Sequence, residues 1–435
     1  MHEATRRRIC RAVFLLVCLV PTLGLFAWVG VTRSSPYRTA RRRAWQQQLS
    51  QQWGLVVTLE QWDTPRRGIV LLDRVRLADP ETGDPLLEIR QLEIGRYQGE
   101  WFLRAAQPEL GGEHILRLWD AFHERFLRAE PSQVRPVQLA CGEMTIHRTD
   151  GSGATTLSDI RFRLAPSAEG PQATFEFRDV ALQMAEPAQL RVTRNRQQSP
   201  PATRWELNTR STALPTSLLA DYLPPLRWLG PDATFQGAVE AVRSTNGWKG
   251  EFSGRLRDID LETLVTERYD HKLSGNAEVL FRRARFQDGT LIDAAGDVVC
   301  YGGSVSRSLL AQADRTLGLA AAPRVRALEA DPLLRYRELK FAFALNQDGL
   351  RIVGHGSGPD PGVVMADGYG PLLQDTSEVA QVVALVQALS SPQGVQVPAT
   401  KEAYQLLHIL PLPTRQRDRP PVTARGPFYS PLRMR

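Results

Sequence analysis

Lysine is almost missing from this chain. Of its 54 basic residues only Lys249, Lys272, Lys340 and Lys401 are lysines; the rest are arginine, and the net charge is +7. Arginine suits phosphate headgroups or nucleic acid. A GC-rich coding sequence gives the same skew. No zinc finger, homeodomain or RNA-binding signature accompanies the charge, so nucleic acid is not an expected partner. Cysteine is scarce too: Cys10, Cys18, Cys141 and Cys300. None has metal-ligand spacing, so no metal site and no cofactor is expected. In an oxidising compartment Cys141 and Cys300 have the option of a disulfide, and two buried free thiols are the simpler expectation. Histidines 2, 114, 123, 147, 271, 355 and 408 are scattered, and there is no HExxH, CxxC or Walker-type loop. Gly354-His355-Gly356-Ser357-Gly358 places Ser357 in a glycine-rich turn but does not match a nucleophile elbow. No catalytic residues are assigned, and the chain does not read as an enzyme.

One long apolar run is present. Ala12–Val31 holds 20 residues without a charge, enough to span a bilayer core as helix. Pro21 is tolerated there, and no small-x-small cleavage site follows it, so an uncleaved anchor is expected rather than a signal peptide. Arginines flank the run on both sides, which leaves its orientation open by charge. A short tail before it and a large body after it suit export of the body. Residues 32–53 read as a juxtamembrane helix whose arginines face anionic headgroups or simply solvent.

From residue 54 the pattern is that of strands. Leu71, Val75 and Leu77 share one parity, and Asp79–Asp84 is a turn leading into Leu86–Ile94. Gly112–Arg128 breaks the pattern: Ile115, Leu118, Trp119, Phe122 and Phe126 recur at helical spacing, which predicts a helix covering one end of a sheet. Hairpins resume through Val137–Arg148, Ala154–Leu164, Ala173–Met184 and Leu190–Arg196. The central stretch Leu214–Leu310 holds Thr234–Ala241 and Trp248–Ile259 around Asn246-Gly247, then Val279–Phe286 and Thr290–Cys300 around Asp288-Gly289. Gly237, Gly254, Gly275 and Gly296 interrupt these strands and predict bends. A short helix is expected at Leu261–Arg268, with Asp258 and Asp260 on one strand face before it. A further hairpin turns at Asp348-Gly349. Residues 356–410 are expected to be a helical C-terminal segment, with helices at Glu378–Leu389 and Thr400–Leu410. Residues 411–435, rich in Pro and Arg, read as a disordered tail.

Three features together carry a resemblance: the N-terminal anchor, the hairpin VRLADPETGDPLLEIRQLEI, and the run GPDATFQGAVEAVRSTNGWKGEFSGRLRDIDLETLV. The segment LSGNAEVLFRRARFQDGTLIDAAGDVVCYGGSVSRSLL follows, and LKFAFALNQDGLRIVGHG closes it. This order resembles AsmA-like proteins over most of residues 12–355, a family similar to bridge-like lipid-transfer proteins. The resemblance implies residues 1–11 as a cytoplasmic tail, 12–31 as a transmembrane anchor in the inner membrane, and 54–355 as a periplasmic β-groove body. The fold expected is mainly β with a few helices: a curved, elongated antiparallel sheet of successive hairpins. Its apolar face is expected to bind phospholipid or a lipid A-like molecule through Val239, Leu256, Val279, Leu291 and Val298, in lipid transport and outer-membrane biogenesis. The alternative is an envelope scaffold that docks protein partners. Some fifteen to twenty strands at ~4.8 Å give a sheet on the order of 70–100 Å long.

Overall fold

The computed structural model describes residues 13–66, 68–97, 99–128, 136–147, 153–179, 186–220, 223–245, 247–328, 333–356, 362–389 and 401–411. The expected tail 1–11, the expected tail 411–435 apart from Pro411, and the turn at Asp150-Gly151 lie outside the described residues, as do Asn246 and Ser357. The first strands are β1 Val56–Thr58, β2 Gln61–Arg66, β3 Ile69–Ala78, β4 Pro85–Tyr97 and β5 Glu100–Gly111. Then come β6 Val137–His147, β7 Ala154–Pro166, β8 Pro171–Asp179, β9 Ala188–Asn195 and β10 Ala202–Asn208. The central strands are β11 Leu214–Pro215, β12 Thr234–Ser244, β13 Gly247–Asp260, β14 Leu273–Ser274, β15 Asn276–Gln287 and β16 Thr290–Ser306. The last are β17 Leu319–Ala321, β18 Leu333–Asn346, β19 Gly349–Gly354, β20 Val363–Asp367, β21 Gly370–Asp375 and β22 Val379–Ala380. All belong to one large sheet, open and curved rather than closed. Strand makes up 53% and helix 27%, so the mainly-β reading holds.

Long strands pair with their successors in the chain, as hairpins require. One junction departs from this: β5 and β6 are parallel, with Trp101 opposite Val137 and Gly111 opposite His147. Parallel neighbours need a crossover, and the helix α3 Ile115–Phe122 supplies it, flanked by a 3-10 turn Gly112–His114 and a π turn His123–Leu127. The sheet is therefore not purely a series of antiparallel hairpins. The aromatic spacing that predicts this helix also seats it: Trp119, Phe122 and Phe126 pack on Leu164, Ala173 and Val192.

At the N-terminus, a π turn Leu15–Leu19 runs into α1 Val20–Arg33, and α2 Ser35–Trp53 follows. Among the described residues no single helix is long and apolar enough to cross a membrane; the pair Leu15–Val31 and Ser35–Trp53 meets that test together, bent by 61°. The bend falls at Ser34, which is extended (φ −65°, ψ 145°). Beyond it, α2 is tied to the sheet. Leu49 is buried, the Trp62 indole donates to the Arg38 carbonyl at 3.2 Å, and Arg42 donates to the Glu60 carbonyl at 3.1 Å. Gly54 ends α2 in the left-handed region at φ 72°.

Three expectations are corrected in the C-terminal half. Residues 356–410 are not simply helical: β20, β21 and β22 extend the sheet before α6 Val382–Leu389 and α7 Lys401–Ile409. A ten-residue helix, α4 Arg307–Thr316, follows β16, with the Ser306 hydroxyl accepting from the Leu309 amide at its start, and a single turn, α5 Pro323–Arg326, follows β17. The helix expected at Leu261–Arg268 is one π turn, Glu262–Thr266, and Asp260 caps it by accepting from the Glu262 amide and the Thr263 hydroxyl. Asp258 has φ 57° inside the register shift between Leu256 and Ile259, so it belongs to a bulge. Cys141 and Cys300 lie buried in separate apolar clusters, each a free thiol.

Candidate lipid groove

In an antiparallel sheet, residues directly opposite each other lie on one face and touch. Followed from strand to strand, the register gives one ladder across the molecule. It starts with Val70 on β3 and runs through Ile94, Leu103, Leu139 and Phe162 to Phe175 on β8. It continues through Leu190, Leu207, Val239, Phe252 and Ala284. It ends with Ala294, Leu345, Leu350 and Ala380 on β22. One residue from each of fifteen strands takes part, and none is polar. Fourteen intervals of ~4.8 Å make this stripe about 67 Å long, just below the length expected from sequence.

Burial divides the stripe. Ile94 at one end and Ala284, Ala294, Leu345, Leu350 and Ala380 at the other are buried. The eight consecutive residues from Leu103 to Phe252 are only half-buried. Val70, the first rung, is half-buried as well.

A second ladder flanks the first on the same face: Trp101, Val137, Leu164, Ala173, Val192, Trp205, Ala241, Gly250, Phe286 and Leu291. On the other flank run Leu214, Phe235, Leu256, Val279, Val298 and Phe341. Phe235, Phe252, Phe281 and Phe343 step across this region with ring centroids 6.5, 5.0 and 5.8 Å apart. Their rings cover glycines: a Cβ on Gly296 would stand 3.0 Å from the Phe343 ring. Glycine and phenylalanine alternate because the ring fills the space that glycine leaves.

The five residues expected to line a groove all fall on this face. Val239 is a rung of the long ladder, Leu256, Val279 and Val298 are consecutive rungs of one flank, and Leu291 ends the other. Each is half-buried. Leu256, Val279 and Leu291 also pack against the buried C-terminal cluster, with Leu385, Leu406 and Leu407 of α6 and α7. They stand at the covered end. The crossover helix covers the rungs on β5 to β9, where Leu103, Leu139 and Phe175 pack with Ile115 and Leu118, and Phe162 and Leu190 with Trp119 and Phe122. The half-buried rungs in none of the three buried clusters are Leu207, Val239 and Phe252, and of the five expected residues only Val239 is among them. Alternation also marks Leu207, as in Trp205-Glu206-Leu207, which sequence reasoning did not name.

The opposite face is polar. Moved over by one residue, the same register reads Arg163, Thr174, Arg191, Glu206, Glu240, Glu251, Arg285 and Asp293. Arg191 pairs with Glu206 at 3.5 Å, Arg204 with Glu240 at 3.5 Å, and Arg285 with Asp293. Such exposed pairs add little stability, but they mark the face that meets water. Among the described residues no group of three or more His, Cys, Asp and Glu is placed to hold a metal ion. Compared with models of known families, with curated proteins and with solved structures, the chain matches none.

Proposed function

We propose that this chain is a membrane-anchored envelope protein of AsmA-like type that holds or passes lipid along the apolar face of its sheet. The observation that carries the reading is the fifteen-strand apolar ladder, half-buried over its central eight rungs. Its rungs Leu207, Val239 and Phe252 belong to none of the buried clusters; apolar surface left open is costly in water, and acyl chains are a fitting cover, at ~0.8 kcal/mol gained per buried CH2. The N-terminal segment supports the membrane part. Leu16, Phe26 and Trp28 are 72, 69 and 68% exposed. In this reading the segment is the inner-membrane anchor, the body is periplasmic, and the ligand is phospholipid or a lipid A-like molecule.

The test is photo-crosslinking in the full chain in cells. A benzophenone side chain at Leu207 or Val239 is expected to capture lipid; one at Glu206 or Glu240, on the other face of the same strands, is not. Protein adducts in place of lipid at Leu207 and Val239 would favour the scaffold reading instead.

A further inference from the structure

The rim of the apolar face carries charge at Arg96, opposite Trp101, and at one rung that holds two arginines. Arg194, near the end of β9, faces Thr203 on β10, and Thr203 faces Arg243 near the end of β12. By parity these residues share the face of Val192, Trp205 and Ala241. The two arginines stand two strands apart, about 9.6 Å along the sheet, within reach of one small anion through their long side chains. Arg194 donates to the Thr203 hydroxyl at 2.8 Å, and Thr203 also meets the His123 imidazole at 3.3 Å. Among the described residues, neither Arg194 nor Arg243 forms an ion pair with a carboxylate. Glu124 on the adjoining π turn is engaged by Arg128, at 2.8 Å to both its oxygens. Asp120 lies within electrostatic reach of Arg243 without pairing with it.

Burial, and after it the neighbouring Arg128 and Arg196, pull Arg194 below the usual guanidinium value. Arg243 adds to that pull more weakly, after the opposing Glu124, and a phosphoryl group between the two half-buried arginines offsets their like charge. Aromatic rings adjoin the pair. Trp205 stacks on Trp248 at 4.7 Å, and the Arg243 guanidinium lies 5.7 Å from the Trp248 ring centre. One rung inward come Trp205, Ala241 and Gly250, and one further Leu207, Val239 and Phe252. The order from the rim is cationic, aromatic, aliphatic.

We infer that Arg194 and Arg243 form a headgroup site for the phosphoryl group of an anionic phospholipid, whose acyl chains lie inward on the apolar ladder. The inference rests on the groove reading and adds to it a ligand class and a polar end.

Its test is calorimetric titration of the full chain in maltoside micelles, which carry no phosphate. The ligands are dioctanoyl phosphatidic acid, dioctanoylglycerol and inorganic phosphate. The phosphatidic acid is expected to bind about tenfold or more tightly than the glycerol of the same chains, the scale of one charge-assisted contact. Arg194→Gln with Arg243→Gln removes that preference and leaves dioctanoylglycerol unchanged, while Arg204→Gln on the opposite face changes neither. Equal wild-type affinity for the two lipids overturns the headgroup site and needs no variant to do so. Loss of both lipids in a folded double variant, or of neither, also overturns it. Inorganic phosphate binding as tightly as the phosphatidic acid overturns the lipid assignment. Failure of the wild type to bind either lipid removes the groove reading as well.

Discussion

Gly237 and Gly254 stand directly opposite each other on β12 and β13, and neither leaves room for a methyl group. A Cβ on Gly237 would lie 2.6 Å from the Gly254 Cα and 3.0 Å from the Phe235 ring; one on Gly254 would lie 2.6 Å from the Gly237 Cα. Gly254 also has φ 146° and borders a register shift on its other side. Gly237→Ala and Gly254→Ala are each expected to destabilise the chain by ~1–3 kcal/mol through overpacking and backbone strain. Urea unfolding followed by tryptophan fluorescence measures this. A midpoint unchanged in both variants would mean that the sheet relaxes freely here.

Tyr336 locks the strands at the other end of the body. Its hydroxyl donates to the Ser274 carbonyl at 2.7 Å and lies 3.2 Å from the Cys300 sulfur. Burial pushes the phenol far above its ordinary value and also raises the Cys300 thiol. Tyr336→Phe leaves the half-buried Ser274 carbonyl short of its donor and is expected to cost ~1 kcal/mol. Cys300 and Cys141, both buried with thiols raised by burial, are expected to resist iodoacetamide at pH 8 until the chain is unfolded. Peptide mass spectrometry of labelled protein reads this directly, and rapid native labelling of either would contradict it.

Much of this architecture was legible in the sequence because local rules govern it. Asp288-Gly289 and Asp348-Gly349 announce their hairpins, and the aromatic spacing from Ile115 to Phe126 announces a helix. What escaped depends on contacts distant in sequence. The parallel pairing of β5 with β6 is a property of the crossover and has no signature in either strand. Strands Val363–Asp367 and Gly370–Asp375 are only five and six residues long, so the apolar helices after them dominate the pattern. The helix Arg307–Thr316 did carry a signal, Ser306 before an apolar-periodic run. The rim arginines are hidden for a different reason. Arg194 follows Val192 on the inward parity, but only the register shows that Arg243 shares its rung.

His123 supplies a pH prediction. Burial holds its imidazole below the ordinary histidine value, against the pull of Glu124. The folded chain therefore binds this proton less readily than the unfolded chain. Its contribution to stability is complete above the unfolded value of ~6.5 and is lost as pH falls from there toward the lower folded value. Asp120, raised by burial, acts in the opposite sense but in the carboxylate range. His123→Gln is expected to flatten the stability profile between about pH 6.5 and pH 5, measured by thermal unfolding in a pH series. A wild-type profile already flat there would show that the ring is solvated.

The choice of groove variants follows from burial. Val279 and Leu291 pack against the buried C-terminal cluster, so a charge at either confounds lipid loss with unfolding. Leu207 and Val239 are opposed rungs on the open stretch, where a carboxylate meets water in the empty protein and acyl chain in the loaded one. Leu207→Asp with Val239→Asp is therefore expected to keep the fold, seen as an unchanged near-ultraviolet signal from the Trp205–Trp248 stack. It should lower the lipid that co-purifies with the protein by about tenfold or more, since burying an unpaired carboxylate against hydrocarbon costs several kcal/mol. Glu206→Ala, one residue away on the opposite face, should leave that lipid unchanged. Lipid mass spectrometry normalised to protein separates the outcomes: equal loss in Glu206→Ala points to a change in the fold, and wild-type lipid in the folded double variant means that acyl chains do not lie on this ladder.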